Sequence, residues 1–424
     1  MREMKDSGVP WIGEIPKNWR ILRGKNILTL LERPVKADDG VITCFRDGEV
    51  TLRSNRREEG FTFSLQEIGY QGVEPGDLVV HGMDGFAGSI GISDSRGKAT
   101  PVLNVMDSSE SKKYLMYQLR TMAHCGLFFA LSSGIRVRSC DTNWNKLKTI
   151  SYLVPPKEEQ LRIVSSIDVK CTEIDSIIES TRASIEDYKK LKQSVITEAV
   201  TKGIRGKRPL KDSGVEWIGE IPAEWGISRV GLHHRIILGK MLCSEPVDGS
   251  YSLEKYLCAA DVHFTGVSLE SLKTMWFSPT EKAQYKVCSG DLLVVEGGAG
   301  AGGAAIVTNL SEDVFIQNSI MIVRPLNQNS CIYVKYLLES LVGRGYVDYA
   351  CNKATIPHFT KDKLGQVPLP LPSPAEQLEI AAYLDEKCAA IDSLIASKEA
   401  LITELEAYKK SLIYEYVTGK KEVL

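Results

Sequence analysis

The sequence is short of most features that mark an enzyme or a membrane protein. No apolar run is long enough to cross a bilayer. The opening MREMKDSGVPW has no apolar stretch after its charges, so no signal peptide is expected. None of the Gly-Lys pairs at 24–25, 97–98, 206–207, 239–240 and 419–420 is followed by Ser or Thr, which excludes P-loop ATP chemistry. No N-P-P-[YF] or D-P-P-Y tetrapeptide is present to hold an amino group for methyl transfer. Ten cysteines are scattered singly, without C-x-x-C or metal-ligand spacing, and read as reduced core residues in a cytosol. The six histidines show no ligand spacing either, since His233 and His234 are adjacent instead of one helical turn apart. Net charge is also missing. Lys and Arg number 52 against 54 Asp and Glu, which argues against tight binding to nucleic acid by this chain alone.

What the chain does have is a repeat. KDSGVPWIGEIPKNW at 5–19 returns as KDSGVEWIGEIPAEW at 211–225, with twelve of fifteen positions identical. EQLRIVSSIDVKCTEIDSIIES from Glu159 aligns without gaps on EQLEIAAYLDEKCAAIDSLIAS from Glu376. The order is therefore A–B–A′–B′, two similar half-molecules, each with room for a sizeable core.

Between box and E-Q-L motif lie short apolar runs divided by turn residues, at 76–82, 89–93 and 99–106 in the first half, which read as strands. Residues 114–123 and 126–131 read as helical. In the second half, 289–298 and 315–323 read as strands and 333–343 as a helix. The second module is about eleven residues longer, placed in loops. The B segments differ in kind. Apolar or small residues recur in steps of three and four from Leu161 to Ala199, broken once at Lys192, and again from Leu378 to Tyr416. That spacing resembles a coiled-coil seam. About forty residues at ~1.5 Å rise make a rod of ~60 Å. The two rods are expected to pack on each other, the alternative being two amphipathic helices each lying on its own module.

VVEGGAGAGGAA at 294–305 places Gly298, Gly300 and Gly303 in G-x-G-x-x-G spacing. A dinucleotide site needs a helix beginning in those glycines, whereas AAIVTN and a turn follow, so a hairpin is predicted. Asp291 and Glu296 flank a strand, but Gly298 stands where a metal nuclease would want Lys. No catalytic constellation emerges.

The box K-D-S-G-V-x-W-I-G-E-I-P-x-x-W resembles the opening segment of specificity subunits of type I restriction–modification systems. So does a proline-led E-Q-x-x-I that opens a long helix carrying I-D-x-x-I, here Pro155 to Ile178 and Pro372 to Ile395. The family's P-x-x-E-Q is met at Pro156, while Ser373 departs from it in the second copy. The likeness covers essentially the whole chain. It implies an α/β protein: two globular target-recognition domains (1–154 and 207–371) joined by two long antiparallel coiled-coil helices (155–206 and 372–424), with an internal two-fold pseudo-repeat. It implies a non-catalytic, cytoplasmic, nucleoid-associated prokaryotic subunit that reads a bipartite, asymmetric sequence in double-stranded DNA. Two methyltransferase subunits and two restriction/motor subunits are the implied partners. S-adenosylmethionine, ATP and Mg are expected in those partners, with no cofactor or metal in this chain. The rival readings are a specificity chain of an atypical methyltransferase system, a coiled-coil scaffold for protein partners, and a cofactor enzyme using the Gly298 loop.

For DNA contact the basic, polar loops within the modules are the candidates, because Arg suits bidentate contact with guanine and phosphate. They are Arg46, Arg53, Arg56 and Arg57 in 46–60; Arg136, Arg138 and Asn143 in 132–144; and Asn352, Lys353, Thr355, His358 and Lys361 in 351–363. Trp11, Trp19, Trp217 and Trp225 occur in both copies and are expected to pack at the module–helix seam. Residues that read different half-sites should differ. Cys171 and Cys388 are expected in the helix core.

Overall fold

The computed structural model of the chain describes residues 2–9, 11–56, 67–131, 142–351 and 357–423. They form two compact units, Met1–Thr181 with Glu399–Leu424, and Arg182–Lys398. The division cuts both long helices, so each unit is a module of mixed helix and sheet together with a stretch of each helix.

The first unit begins with an antiparallel pair, β1 (Met4–Asp6) and β2 (Glu14–Pro16). The repeated D-S-G-V is the turn leaving β1: Gly8 N–H donates to Asp6 Oδ1 at 2.9 Å and Val9 N–H to Ser7 Oγ at 3.1 Å. Next come β3 (Arg20–Arg23), β4 (Leu28–Leu30), β5 (Ile42–Cys44), β6 (Val50–Leu52) and β7 (Gln71–Val73). They are followed by β8 (Leu78–His81), β9 (Ile90–Ile92), β10 (Gly97–Ala99) and β11 (Leu103–Ser108). Then α1 (Lys112–His124), α2 (Leu127–Ala130), α3 (Trp144–Leu147) and β12 (Ser151–Val154) lead into the long α4 (Lys157–Lys202). The central sheet has the order β4-β11-β8-β9, all antiparallel, with α1 packed over it.

The second unit repeats the plan. A pair β13 (Leu210–Asp212) and β14 (Glu220–Pro222) precedes β15 (Gly226–Arg229), α5 (Val230–His233) and β16 (His234–Leu238). Between β16 and the next sheet strand lie β17 (Ser252–Leu257), β18 (Val262–His263), β19 (Gly266–Val267), β20 (Lys273–Phe277) and α6 (Pro279–Tyr285). Then come β21 (Leu292–Val295), β22 (Ala304–Ile306), β23 (Phe315–Ile316) and β24 (Ile320–Pro325). The unit continues with α7 (Cys331–Gly343), α8 (Tyr346–Ala350), α9 (Lys361–Gly365), β25 (Pro368–Leu371) and the long α10 (Pro374–Val417). Its sheet, β16-β24-β21-β22, matches the first, and a further three-stranded sheet, β20-β17-β23, lies beside it. The run 315–323, read as one strand, is two. Gln317 folds back so that its Oε1 accepts from Ser319 N–H (3.2 Å), and this side-chain turn breaks the strand. Glycines 298–303 lie in the β21–β22 hairpin, as the sequence predicts.

The repeated E-Q pairs are joints between helix and module. Gln160 accepts from Ser111 N–H, the start of α1, at 2.9 Å and donates to Pro155 O at 2.9 Å. Gln377 makes the same contacts with Ser330 N–H (2.9 Å) and Pro372 O (3.2 Å). Tyr117 reaches Asp168, and Tyr336 reaches Asp385, both at 2.6 Å. Trp19 and Trp225 are fully buried against these joints, and Trp225 Nε1–H donates to Glu376 at 3.1 Å. Cys171 and Cys388 are buried in the helix seam. Pro374 is the first residue of α10, where its missing N–H costs nothing. Gly203 and Gly419, both at positive φ, follow the helix ends.

Each module also receives the far end of the other repeat's helix. In the first unit the core contains Ile163, Ile167 and Ile174 of α4 together with Leu412, Tyr416 and Val417 of α10. Arg2 bridges Glu159 (2.6 Å) and Gly419 O (3.3 Å), while Lys409 pairs with Asp175 at 2.6 Å, so the two stretches run in opposite directions. In the second unit Arg208 bridges Glu376 (2.6 Å) and Lys202 O (3.2 Å), and Lys192 pairs with Asp392 at 2.7 Å. Arg2 and Arg208 hold equivalent places in the repeat, just ahead of the box. Among the described residues no helix is long and apolar enough to cross a membrane.

Candidate nucleic-acid interface

In each module some of the described candidate residues lie near one end of the four-stranded sheet. In the first, that end is where β8 finishes and β11 starts. Thr142 Oγ1 donates to His81 O at 2.7 Å, and Thr142 N–H donates to Gly82 O at 2.8 Å. Asn104 donates to Val80 O (3.2 Å) and Thr142 O (3.1 Å) and accepts from Trp144 N–H at 3.0 Å. These bonds fix the exit of the loop that carries Arg136 and Arg138. Asn143 is the N-cap of α3, its side chain accepting from Lys146 N–H at 3.2 Å. His81 Nδ1 accepts from Met83 N–H (3.2 Å) and Asp84 N–H (3.0 Å). Burial holds the His81 ring below its ordinary pKa, which suits the neutral, accepting form.

Among the candidate arginines, Arg46 is exposed and meets Asp84 at 3.1 Å, at the tip of the β8–β9 connection. Arg53 donates to Thr43 Oγ1 at 3.2 Å along the β5–β6 hairpin. Arg56 is engaged by Asp47 (2.7 Å) and Glu49 (2.9 Å) and lies over the Phe45 ring. The Asp47 hydrogen bond is the main cause of its raised pKa. Arg57, Arg136 and Arg138 fall outside the described residues, as do Asn352, Lys353 and Thr355.

In the second module the corresponding end joins the finish of β21 to the start of β24. Gly297 and His358 form an antiparallel bridge, and Phe359 N–H donates to Glu296 O at 2.6 Å. Glu296 N–H donates to Ser319 O (2.9 Å), and Asn318 N–H donates to Lys240 O (2.8 Å). His358 is exposed here with Lys361 close after it, and Lys363 Nζ donates to His358 O at 2.8 Å. The chain thus brings Arg46 to one sheet end and His358 to the equivalent end of the other module.

Three arginines outside the candidate loops hold the modules together, Arg2 and Arg208 at the helix joints and Arg120 at the candidate end. Arg2 and Arg208 carried a signal in the sequence, since both stand three places before the Lys of the repeated box. Arg120 carried none. It sits on α1 among core residues and donates from Nε to Ile90 O and from Nη2 to Gly48 O, both at 2.7 Å. It thereby ties the Arg46–Gly48 turn to β9, with burial pushing its pKa down. Gly48 has φ +87, and a Cβ there would collide with this guanidinium. Among the described residues no group of three His, Cys, Asp or Glu could hold a metal ion.

Residues 266–407 match the family model of the type I restriction modification DNA specificity domain. Over 97% of the chain and 96% of the relative, the sequence is 23% identical to a putative type I restriction enzyme MjaX specificity subunit of Methanocaldococcus jannaschii. It is 25% identical to the type I restriction enzyme MjaVIII specificity subunit of the same organism, over 65% of the chain and 63% of the relative. Among solved structures, a chain from a type I R-M system complex covers 96% of this chain and 99% of its own, with a TM-score of 0.73 and 17% identity. The HsdS subunit of Thermoanaerobacter tengcongensis covers 96% and 98%, with a TM-score of 0.55 and 18% identity.

Proposed function

We propose that this chain, a member of the type I restriction–modification specificity-subunit family, selects the DNA sequence on which its system acts. The observation that carries the reading is the division between what repeats and what does not. The box, the E-Q joint, the bridging Arg2 and Arg208 and the helix seam recur at equivalent positions, whereas the two sheet ends present Arg46 and His81 in one module and His358 and Lys361 in the other. Two different readers on equivalent frames suit a bipartite, asymmetric target.

The long helices are read as an antiparallel coiled-coil spacer and as the dock for two methyltransferase subunits. Exposed apolar residues recur at equivalent helix positions, Leu161 with Leu378, Ile177 with Leu394 and Leu191 with Tyr408. A surface repeated in this way suits two copies of one partner. Restriction/motor subunits would join that complex, and S-adenosylmethionine, ATP and Mg would belong to the partners. Half-site separation, near one DNA turn or ~34 Å, would be set by the helical rod together with the docking geometry.

Methylome sequencing of the host with and without this gene tests the reading. A bipartite adenine-methylation motif is expected to vanish on deletion, and an unchanged methylome would sink it.

A further inference from the structure

On the edge strand β16 the second unit carries a cavity of about 470 Å³, lined by Arg229, His234, Arg235, Lys361, Asp362 and Gln366. Its charge is unusual for this unit. Most other cations there are matched: Arg324 lies on Asp291 at 2.7 Å, Lys255 on Glu312 at 2.6 Å, Lys282 on Glu254 at 2.8 Å and Lys286 on Asp313 at 2.7 Å. Arg229, Arg235 and Lys361 are exposed and find no side-chain partner among the described residues. Arg235 also stands directly opposite Arg324 across the β16–β24 pair, a like-charge register that costs stability. Asp291 relieves Arg324 and nothing comparable relieves Arg235. Three cations against the single carboxylate of Asp362 converge on one concavity and suit an anion, and two guanidinium groups match the oxygens of a phosphate.

We propose that this cavity, at the opposite end of β16 from the sheet end that faces the bases, holds a phosphate group of the DNA backbone. The assignment rests on the DNA-reading function given above. From Arg235 to Lys240, which touches that end, is about five residues of near-extended chain, or ~16 Å. That distance is roughly five base-pair rises along the axis of a duplex. Lys361 links the two places, because it follows Phe359, whose N–H is bonded to Glu296. The cavity would fix the register of the second module on the duplex and carry no base preference itself.

The test is the salt dependence of duplex binding by the full chain, with any subunit that accompanies it, using target and scrambled duplexes. Each lost phosphate contact makes the slope of log K against log salt shallower by ~0.9. Arg229→Gln/Arg235→Gln is expected to flatten the slope by about one to two and leave the target-to-scrambled ratio unchanged. A control, Lys170→Gln/Lys387→Gln, removes the same charge from exposed helix positions and should leave the slope alone. An unaltered slope in the first variant overturns the site, as does an equal loss in both. Calorimetric uptake of inorganic phosphate that the variant abolishes, with the DNA slope unchanged, would make this a free-phosphate site and overturn the DNA assignment. If the unsubstituted chain together with its accompanying subunits binds no duplex, the functional reading itself falls. If it binds and only the slope prediction fails, the cavity alone is misassigned.

Discussion

The phenol of Tyr114 donates to the main-chain carbonyl of Val417, 3.1 Å away and 303 residues later in the chain. Tyr333 does the same to Val200 O at 2.9 Å. Both tyrosines are fully buried, so each bond closes a carbonyl at the end of a long helix that solvent cannot reach. A module near the start of the chain therefore depends on its last residues. Loss of one such bond is expected to cost about 1–3 kcal/mol. Tyr114→Phe should lower the unfolding midpoint of the first unit and Tyr333→Phe that of the second, read by hydrogen exchange resolved to each unit.

Ending the chain after Lys398 should unfold the N-terminal module. The cut removes Leu412, Tyr416 and Val417 from the first core, at about 1.5–3 kcal/mol each. Their sum approaches the whole stability of a typical domain. Limited proteolysis should then cleave within 2–154 and spare 210–371. Equal protection of both would contradict the two-unit division.

Arg208→Ala leaves the carboxylate of Glu376, 5% exposed, without its ion pair. The expected loss is about 3–5 kcal/mol. Adding Glu376→Gln should recover part of it, because the amide oxygen still accepts from Trp225 Nε1–H. Denaturant titration of the two variants measures the difference.

Arg120→Gln should free the turn at Gly48 and leave the sheet in place. In the methylated motif, base preference in one half-site should relax while the other half stays as before. Relaxation of both halves would mean that Arg120 supports the fold and not the reading turn.

His234 is buried beside Val230 O and next to His233, and burial lowers its pKa from 6.5 to about 4. In the unfolded chain the ring takes up a proton at higher pH than in the folded one. Its contribution to stability is therefore complete above pH 6.5 and is lost as pH falls through about 4. His234→Leu should flatten the stability profile of the second unit across that window.

The parts legible in the sequence are those that repeat. The recurrence of Trp19 and Trp225 marks them as seam residues, because a base-reading residue has no reason to recur, and both are buried. The Gly298 hairpin was legible because a strand, and not a helix, follows the glycines. The break at Gln317 was not, since an apolar run conceals a turn made by a side chain. Arg56 looked like a free basic group until the fold brought Asp47 and Glu49 to it. Arg120 shows the same limit from the other side. Helical spacing says where a side chain points, but not that a distant turn will present its carbonyl there.

The reciprocal supply of helix ends bears on ancestry. A half-length protein, one box, one module and one helix, could not complete its own core, because the residues equivalent to Leu412, Tyr416 and Val417 are contributed by the other repeat. Two identical copies exchanging helices would satisfy each other, and would read the same bases twice in inverted order. On the proposed reading, fusion of two such genes would release each reader to drift, and an inverted-repeat target would become an asymmetric one without any change at the joints.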